Sequence, residues 1–490
     1  MANKYIIGID QSTQGTKALL FDEVGNLVKR CDKPHRQIIS SEGWVSHDPG
    51  EIYKNTLAVM EELLREAAVS PSEIEALGIS NQRETTVIWD RKTGEPLDNA
   101  IVWQCSRAAH ICEREEIRTG ADLIKNHTGI NLSPYFPAAK AAWFMENTEG
   151  AREKAAKGEL CIGCIDSWLI YKLTEGRSFK TDYTNASRTQ LFNIFELKWD
   201  EKLCGLFGVD MSCLPEVHYS DELFGKTTAG GIFEKPIPIY SAIGDSHGAL
   251  LGQGCLKPGM IKATYGTGSS IMLNIGETPV LSTHGVVTSI AFSRNGRVSY
   301  CLEGNINYTG AVVSWLKDDV KLIESAAETE ELCRAARQDD ELYLVPAFTG
   351  LGAPHWRSSA RGMLGGITRT TAKAEIVRAG IESIAYQITD VIKAMGQDAN
   401  MTVKELRVDG GPTGNKYLMQ FQSDIAAVDV LVPDAEEFSG IGAAYTAGIS
   451  AGLYTEEVFD IYTRKRFEPK MGEALRFRKY KGWQEAVARV

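Results

Sequence analysis

The chain has 490 residues, 43% of them apolar and 24% charged, which is too long for one core and predicts two or more globular domains. A net charge of −11 with no dense Lys/Arg stripe excludes a nucleic-acid or anionic-membrane surface. It does not exclude a nucleotide, which backbone N–H groups and metal hold more than net charge does. No stretch approaches 18 uninterrupted apolar residues, and Met1–Asn3 runs directly into a strand, so neither a membrane span nor a signal peptide is expected. Ten cysteines without a secretion signal point to free thiols and a cytoplasmic setting.

Tyr5–Asp10 reads as an apolar strand, DQSTQGTK (Asp10–Lys17) as a Gly/Thr/Ser turn, and Ala18–Asp22 as the returning strand. Apolar spacing of three and four predicts a helix over Pro49–Glu66. NQRETT (Asn81–Thr86) joins apolar strands Ala76–Ser80 and Thr86–Asp90. A second helix is expected over Arg107–Arg118. Leu160–Leu173 reads as strand, Asp166, helix, with Cys161 and Cys164 as small core residues rather than a redox pair. Ile237–Leu251 has the same plan around Asp245. A boundary near Gly252–Gly259 divides the chain into 1–252 and 253–490. Met260–Glu277 then repeats the opening plan, with YGTGSS (Tyr265–Ser270) as its turn, which predicts a duplicated architecture. A helix is expected over Lys373–Met395. Leu406–Ile425 is a third strand–turn–helix unit, turning at Asp409-Gly410-Gly411 into a helix from Asn415.

The two Gly/Thr turns let backbone approach a polyphosphate, and Lys17 adds charge to the first. Asp10, at a strand's end, suits a metal ion. Each turn alone is equally an ordinary hairpin, but two in matching positions favour phosphate. Neither is a GxxxxGK[ST] loop, and no GxGxxG opens a helix, which excludes a dinucleotide-binding dehydrogenase. Gly410 and Gly411 leave room for a flat adenine or ribose, with Asn415 as helix cap or base contact; a plain tight turn is the alternative. Arg83 and Glu84 pair a donor with an acceptor for adjacent polyol hydroxyls, or else form an exposed hairpin tip. Trp103 and Tyr135 are candidate walls for the C–H side of a polyol, or core aromatics. Asp245 facing such turns is a carboxylate placed to take a proton from an alcohol.

The ordered set GIDQSTQGTKALLFD, GISNQRETTVIWD, NAIVWQC, DYTNASRTQLFNI, IGDSHGALLGQ, TYGTGSS, VPAFTGLGAPHW, RVDGGPTGN and GAAYTAG resembles the FGGY carbohydrate kinase family, most closely its glycerol-phosphorylating members. The resemblance runs from about Tyr5 to Leu453. It implies an α/β, actin-like (ribonuclease H-like) ATPase fold, with two α/β domains around a deep catalytic cleft. It also implies ATP- and Mg2+-dependent phosphorylation of a terminal hydroxyl of a small polyol, and a homo-oligomer, dimer or tetramer. Arg83, Glu84, Tyr135 and Asp245 match positions that hold the polyol, Asp245 as general base, with Trp103 as a wall. Ser12, Thr13, Lys17, Gly266, Thr267, Gly310, Ser314, Gly411 and Asn415 fall in the nucleotide-binding positions, and Asp10 matches the metal-side carboxylate.

Four positions depart from that branch of the family: Lys17 replaces Arg, Ser246 and Ser314 replace Gln, and Ser270 replaces a Phe that packs on the substrate. Ser246 and Ser270 thus predict a roomier acceptor pocket, open to a tetritol, a pentitol or xylulose as well as glycerol. A Gly/Arg-rich loop that binds a sugar bisphosphate in some members corresponds to Thr227–Ile239, which keeps Gly230-Gly231 but lacks the Arg and the phosphorylatable His. Neither form of regulation is expected. The rival from another class is a non-catalytic actin/Hsp70-like ATP-binding switch, which has no use for a polyol constellation.

Overall fold

One strand order occurs twice in the computed structural model, which describes residues 3–490. In the first sheet, Leu27–Pro34, Gly15–Phe21, Tyr5–Gln11, Ile74–Asn81 and Ile237–Gly244 lie side by side, with Gly225–Thr227 at the edge. In the second, Arg297–Ile306, Ser269–Gly276, Ile261–Tyr265, Glu405–Asp409 and Asp429–Pro433 follow the same order, flanked by Val287–Arg294 and Arg464–Phe467. In both, the first two pairings are antiparallel and the last two parallel. The expected duplication therefore extends over five-stranded units, the arrangement of an actin-like fold. Central strands such as Tyr5–Gln11 are buried on both faces, as the unbroken apolar run Ile6–Ile9 requires.

The parallel register fixes where the chemistry sits. Gly244 pairs with Asn81, and Asn81 pairs with Gln11, so three strands end on one line. NQRETT leaves that line and crosses into a different sheet. Ile74–Asn81 belongs to the first sheet, whereas Thr86–Asp90 lies in a five-stranded side sheet between Ala100–Ile101 and Leu160–Cys164. The hairpin-tip alternative is thereby removed: Arg83 is 5% exposed and Glu84 2%.

The helices over Pro49–Ala67, Lys373–Ala399 and Lys416–Ala426 match the expected ones, the last capped by Asn415, whose side chain accepts from the Leu418 N–H. The expected Arg107–Arg118 helix is not continuous. It splits into Ala109–Cys112 and Glu115–Thr119 because Arg114 is extended (φ −60, ψ 141). No helix among the described residues is long and apolar enough to cross a membrane.

Helix Phe438–Ser450 comes from the second half of the sequence, yet it packs on the first sheet and on helix Asp245–Gly252. The two helices cross with no room for side chains. A Cβ on Gly442 would lie 2.0 Å from the Gly248 carbonyl oxygen, and one on Gly252 2.3 Å from that of Phe438. Around this crossing Ile6, Leu19, Phe21, Ile243, Leu250, Ile441, Ala444 and Tyr445 form one core with Met272, Ala291 and Cys301 of the second sheet. Burial of such side chains stabilises by roughly 1.5–3 kcal/mol each.

Asp166 repeats Asp245's place at a strand-to-helix junction but faces the interior. Among the described residues its hydrogen-bonding side-chain partner is Thr181, whose Oγ1 donates to Oδ2 at 2.6 Å, and Oδ1 has none. Burial pushes its carboxyl up to about 7. The adjoining Cys161 and Cys164 are free and buried, and burial pushes the Cys161 thiol up to about 12, as core residues rather than a redox pair.

Two measurements follow. Gly442→Ala is expected to lower stability by about 1–3 kcal/mol or more through overpacking, read as a fall in thermal midpoint, whereas an alanine at exposed Gly205 should cost less than half as much. For Asp166 the folded chain keeps its proton up to about pH 7 while the unfolded chain releases it near 4. The native state binds more protons between those values, so this contribution to stability falls as pH rises from about 4 to 7. Asp166→Asn should flatten that part of the pH dependence in urea unfolding.

Candidate active site

The aligned strand ends of the first half face the second sheet's Gly266–Ser270 turn across a cleft of about 530 Å³. Thr13, Arg83, Glu84, Trp103, Tyr135, Asp245, Ser246, Gly266, Thr267 and Ser270 all line it, so the structure brings the expected acceptor residues together with both turns.

Asp245 opens its helix, and its side chain remains 35% exposed. Its Oδ1 accepts from Arg83 Nε at 3.0 Å and from the Ser246 N–H at 2.6 Å, while Oδ2 has no hydrogen bond among the described residues. Gly244 before it is required by Arg83, because a Cβ there would lie 2.7 Å from the arginine's Cγ and Cδ. Arg83 is almost fully committed. Nη1 and Nη2 both donate to Glu303 at 2.9 Å, and Nη2 also donates to Ser246 Oγ at 3.0 Å. Ser246 is thus turned onto Arg83 rather than simply leaving space.

Glu84 sits in a left-handed turn conformation (φ 59), which carries its side chain away from the strand direction. Its Oε1 accepts from Arg188 Nε at 2.6 Å, and Oε2 is unengaged among the described residues. Arg188 also donates to Glu303 Oε2 at 2.8 Å. The two guanidinium groups hold the Glu303 carboxyl far below the usual carboxylate range against the opposing effect of burial. Beneath the pocket, buried Lys140 donates from Nζ to the carbonyls of Tyr135 (2.6 Å), Glu84 (2.9 Å) and Trp103 (3.4 Å). Desolvation brings its amine down to about 7. The Trp103 and Tyr135 rings lie 5.5 Å apart, and Trp103 Nε1 donates to Thr13 Oγ1 at 2.9 Å, tying the acceptor wall to the first turn.

The second turn is braced by backbone. Thr309 and Ala311 N–H groups donate to the Thr267 carbonyl, and Gly310 N–H donates to that of Gly266, at 2.9–3.0 Å. A Cβ on Gly268 would lie 2.3 Å from the Ile306 carbonyl oxygen. Ser270 offers its carbonyl and Oγ to buried Lys262 Nζ at 3.3 and 3.4 Å. Beyond the turn, a cavity of about 830 Å³ is lined by Gly310, Ser314, Gly411, Gly414 and Asn415. Gly410 makes the turn there: its φ is 97, and a Cβ would meet the Tyr265 carbonyl oxygen at 2.1 Å. Gly411 and Gly414 have open space where a side chain would be, as a flat ring requires.

Three expected residues line neither cavity. Ser12 closes its own turn, its N–H and Oγ both donating to the Gly15 carbonyl. Lys17 lies between Glu437 (2.5 Å) and Asp10 (3.7 Å). Asp10 is buried, its Oδ1 has no hydrogen-bond partner among the described residues, and burial, reinforced by Glu437 and Asp245 and opposed by Lys17, pushes its carboxyl up to about 6. Four residues escaped the sequence reading: Arg188, Glu303, Lys140 and Lys262. Glu303 was visible as the one acid inside the apolar run YCLEGNI, and Lys140 and Lys262 as charges among apolar neighbours.

Family models for the N-terminal and C-terminal domains of FGGY carbohydrate kinases match residues 5–252 and 261–451. Glycerol kinase 2 of Thermotoga maritima is 47% identical over 99% of this chain and 98% of its own length. The glycerol kinase of Carboxydothermus hydrogenoformans is 46% identical over 100% of this chain and 99% of its own. Among solved structures, Plasmodium falciparum glycerol kinase with ADP superposes with a TM-score of 0.94 at 37% identity, covering 100% of this chain and 98% of that one. Strand order, cleft and sequence agree: the chain belongs to the FGGY family of carbohydrate kinases.

Proposed function

We propose that the chain transfers the γ-phosphoryl group of ATP to a terminal hydroxyl of glycerol, giving sn-glycerol 3-phosphate. The observation that carries this reading is a set of groups at the acceptor end of the cleft that have no partner among the described residues. Asp245 Oδ2 and Glu84 Oε2 are acceptors, and one Nη1 N–H of Arg83 and the Tyr135 hydroxyl are donors. That set suits three adjacent hydroxyls, with the Trp103 ring against the carbon chain. Arg83 and Arg188 are each ion-paired with Glu84, Glu303 or Asp245, so neither guanidinium is left free to neutralise an anionic acceptor, which favours an uncharged one. The glycerol kinase relatives support the same acceptor, and the ADP-bound one supports a nucleotide.

Residues 1–252 and 253–490 act as the two jaws, with helix Phe438–Ser450 shared between them. Thr13, Gly266 and Thr267 face the phosphates, Ser12 and Lys17 shape the first turn, and Gly310, Ser314, Gly411 and Asn415 receive adenosine. Asp10 fits a cation, because its Oδ1 is buried and unpartnered among the described residues, with Glu437 and Asp245 adding negative charge beside Lys17. It would hold Mg2+, which when bound neutralises charge on the phosphate oxygens. Arg83 and Glu84 hold the acceptor hydroxyls, and closure of the jaws excludes water. Asp245 Oδ2 takes the proton as the new O–P bond forms and the bond to the β–γ bridging oxygen breaks, releasing ADP. A switch without catalysis has no need of Asp245 in this position. The reading includes a cytoplasmic setting, supported by ten free cysteines, and a dimer or tetramer, which sedimentation tests.

Asp245→Asn should fold normally and lose roughly a hundredfold or more in turnover; near-normal turnover would remove Asp245 from the role. ADP release from MgATP with glycerol, erythritol, threitol, xylitol, ribitol, D-xylulose and dihydroxyacetone tests the acceptor. Glycerol should lead. A longer polyol leading by about tenfold, or about 1.4 kcal/mol, would assign the pocket to that acceptor through Ser246 and Ser270.

A further inference from the structure

Glu303 lies on the second sheet, in strand Arg297–Ile306, opposite Met272 and Val287. It is 1% exposed and does not line the cleft. All its lone-pair directions are used. Oε1 accepts from Arg83 Nη2 (2.9 Å) and Asn305 Nδ2 (3.1 Å), and Oε2 from Arg83 Nη1 (2.9 Å) and Arg188 Nη1 (2.8 Å). Arg188, 1% exposed with its guanidinium 5.1 Å from the centre of the Phe136 ring, passes the connection on to Glu84 Oε1. Burying four charges is costly, and well-packed apolar side chains would serve stability as well or better. What the charges do set is the orientation of Arg83 and Glu84, the two cleft residues at the ends of the chain of contacts.

We propose that Glu303 is a positioning residue of the acceptor site, acting on Arg83 directly and on Glu84 through Arg188. The acceptor pocket of the first half is then set by a carboxylate of the second. Two residues on from Glu303, Asn305 lines the cleft, and Ile306 pairs with Ser269 of the phosphate turn, so one strand serves both substrates. This rests on the functional reading above for the roles of Arg83 and Glu84.

The test compares Glu303→Gln, Arg188→Ala and Arg188→Lys with the unmodified chain, using the polyol that the panel ranks first. Glu303→Gln and Arg188→Ala are expected to raise the polyol KM at least tenfold while the ATP KM stays within about threefold. Millimolar guanidinium chloride should restore part of the polyol affinity of Arg188→Ala and none of that of Glu303→Gln. Arg188→Lys, which keeps the charge but loses the two-ended fork, should raise the polyol KM at least threefold and stands in if the other variants do not fold. An unchanged polyol KM in any folded variant, with only a lower thermal midpoint, overturns the proposal and leaves a structural role. If the unmodified chain phosphorylates no polyol, the functional reading itself fails and the positioning role falls with it. If it phosphorylates one and the variants match it, only the positioning role fails.

Discussion

The parallel register of three strands governs this molecule. Because Gly244, Asn81 and Gln11 pair across the first sheet, everything that follows each strand emerges on the same side. Asp245 follows the first, Arg83 and Glu84 the second, and the Ser12–Thr13 turn follows the third. A one-residue slip would turn the pleat over and send those side chains to the opposite face. The apolar, doubly buried strands make such a slip costly, so the precision of the site is inherited from the core.

Within that frame, backbone and charge have separate tasks. Glycines at 244, 268 and 410 permit approaches that a side chain would block, and these bring turns and helix ends close. Buried charges then orient the side chains that remain. Arg83 and Arg188 share Glu303, and Lys140 gathers three carbonyls that belong to Glu84, Trp103 and Tyr135. Each charge is matched by donors or acceptors at short range, the condition for ions to persist in an interior.

Much of the architecture was legible in the sequence, because strand–turn–strand and strand–carboxylate–helix units leave strong local signals. Arg83 and Glu84 stood out as charges between apolar runs, and Asp245 as an acid at a strand's end. Asp166 gave the same signal and proved to be buried, since sequence spacing does not reveal that its strand, Leu160–Cys164, belongs to the side sheet and not to the sheet whose strand ends meet the cleft. Arg188 and Glu303 were missed because their charged partners lie far off in the chain, and Lys140 and Lys262 because their partners are backbone carbonyls and hydroxyls, which leave no charge pattern in the sequence. Arg83 and Glu303 are separated by 220 positions, and no local pattern records that pairing. The Arg107–Arg118 helix had the right periodicity but was broken at Arg114, whose extended backbone is not registered by apolar spacing.

The helix Phe438–Ser450 has a consequence for synthesis of the chain. The first sheet is complete in sequence once Gly244 has been made, yet one of its faces is covered largely by a helix near the other end of the polypeptide. At roughly 5–20 residues per second, that face waits on the order of 10–40 seconds for its cover during translation. The nascent first half therefore exposes an apolar surface bearing Ile6, Leu19 and Phe21 until about the last ninth of the message is read. Such a chain has the profile of a chaperone client: slow, long-range closure makes the order of synthesis a hazard that local folding cannot remove.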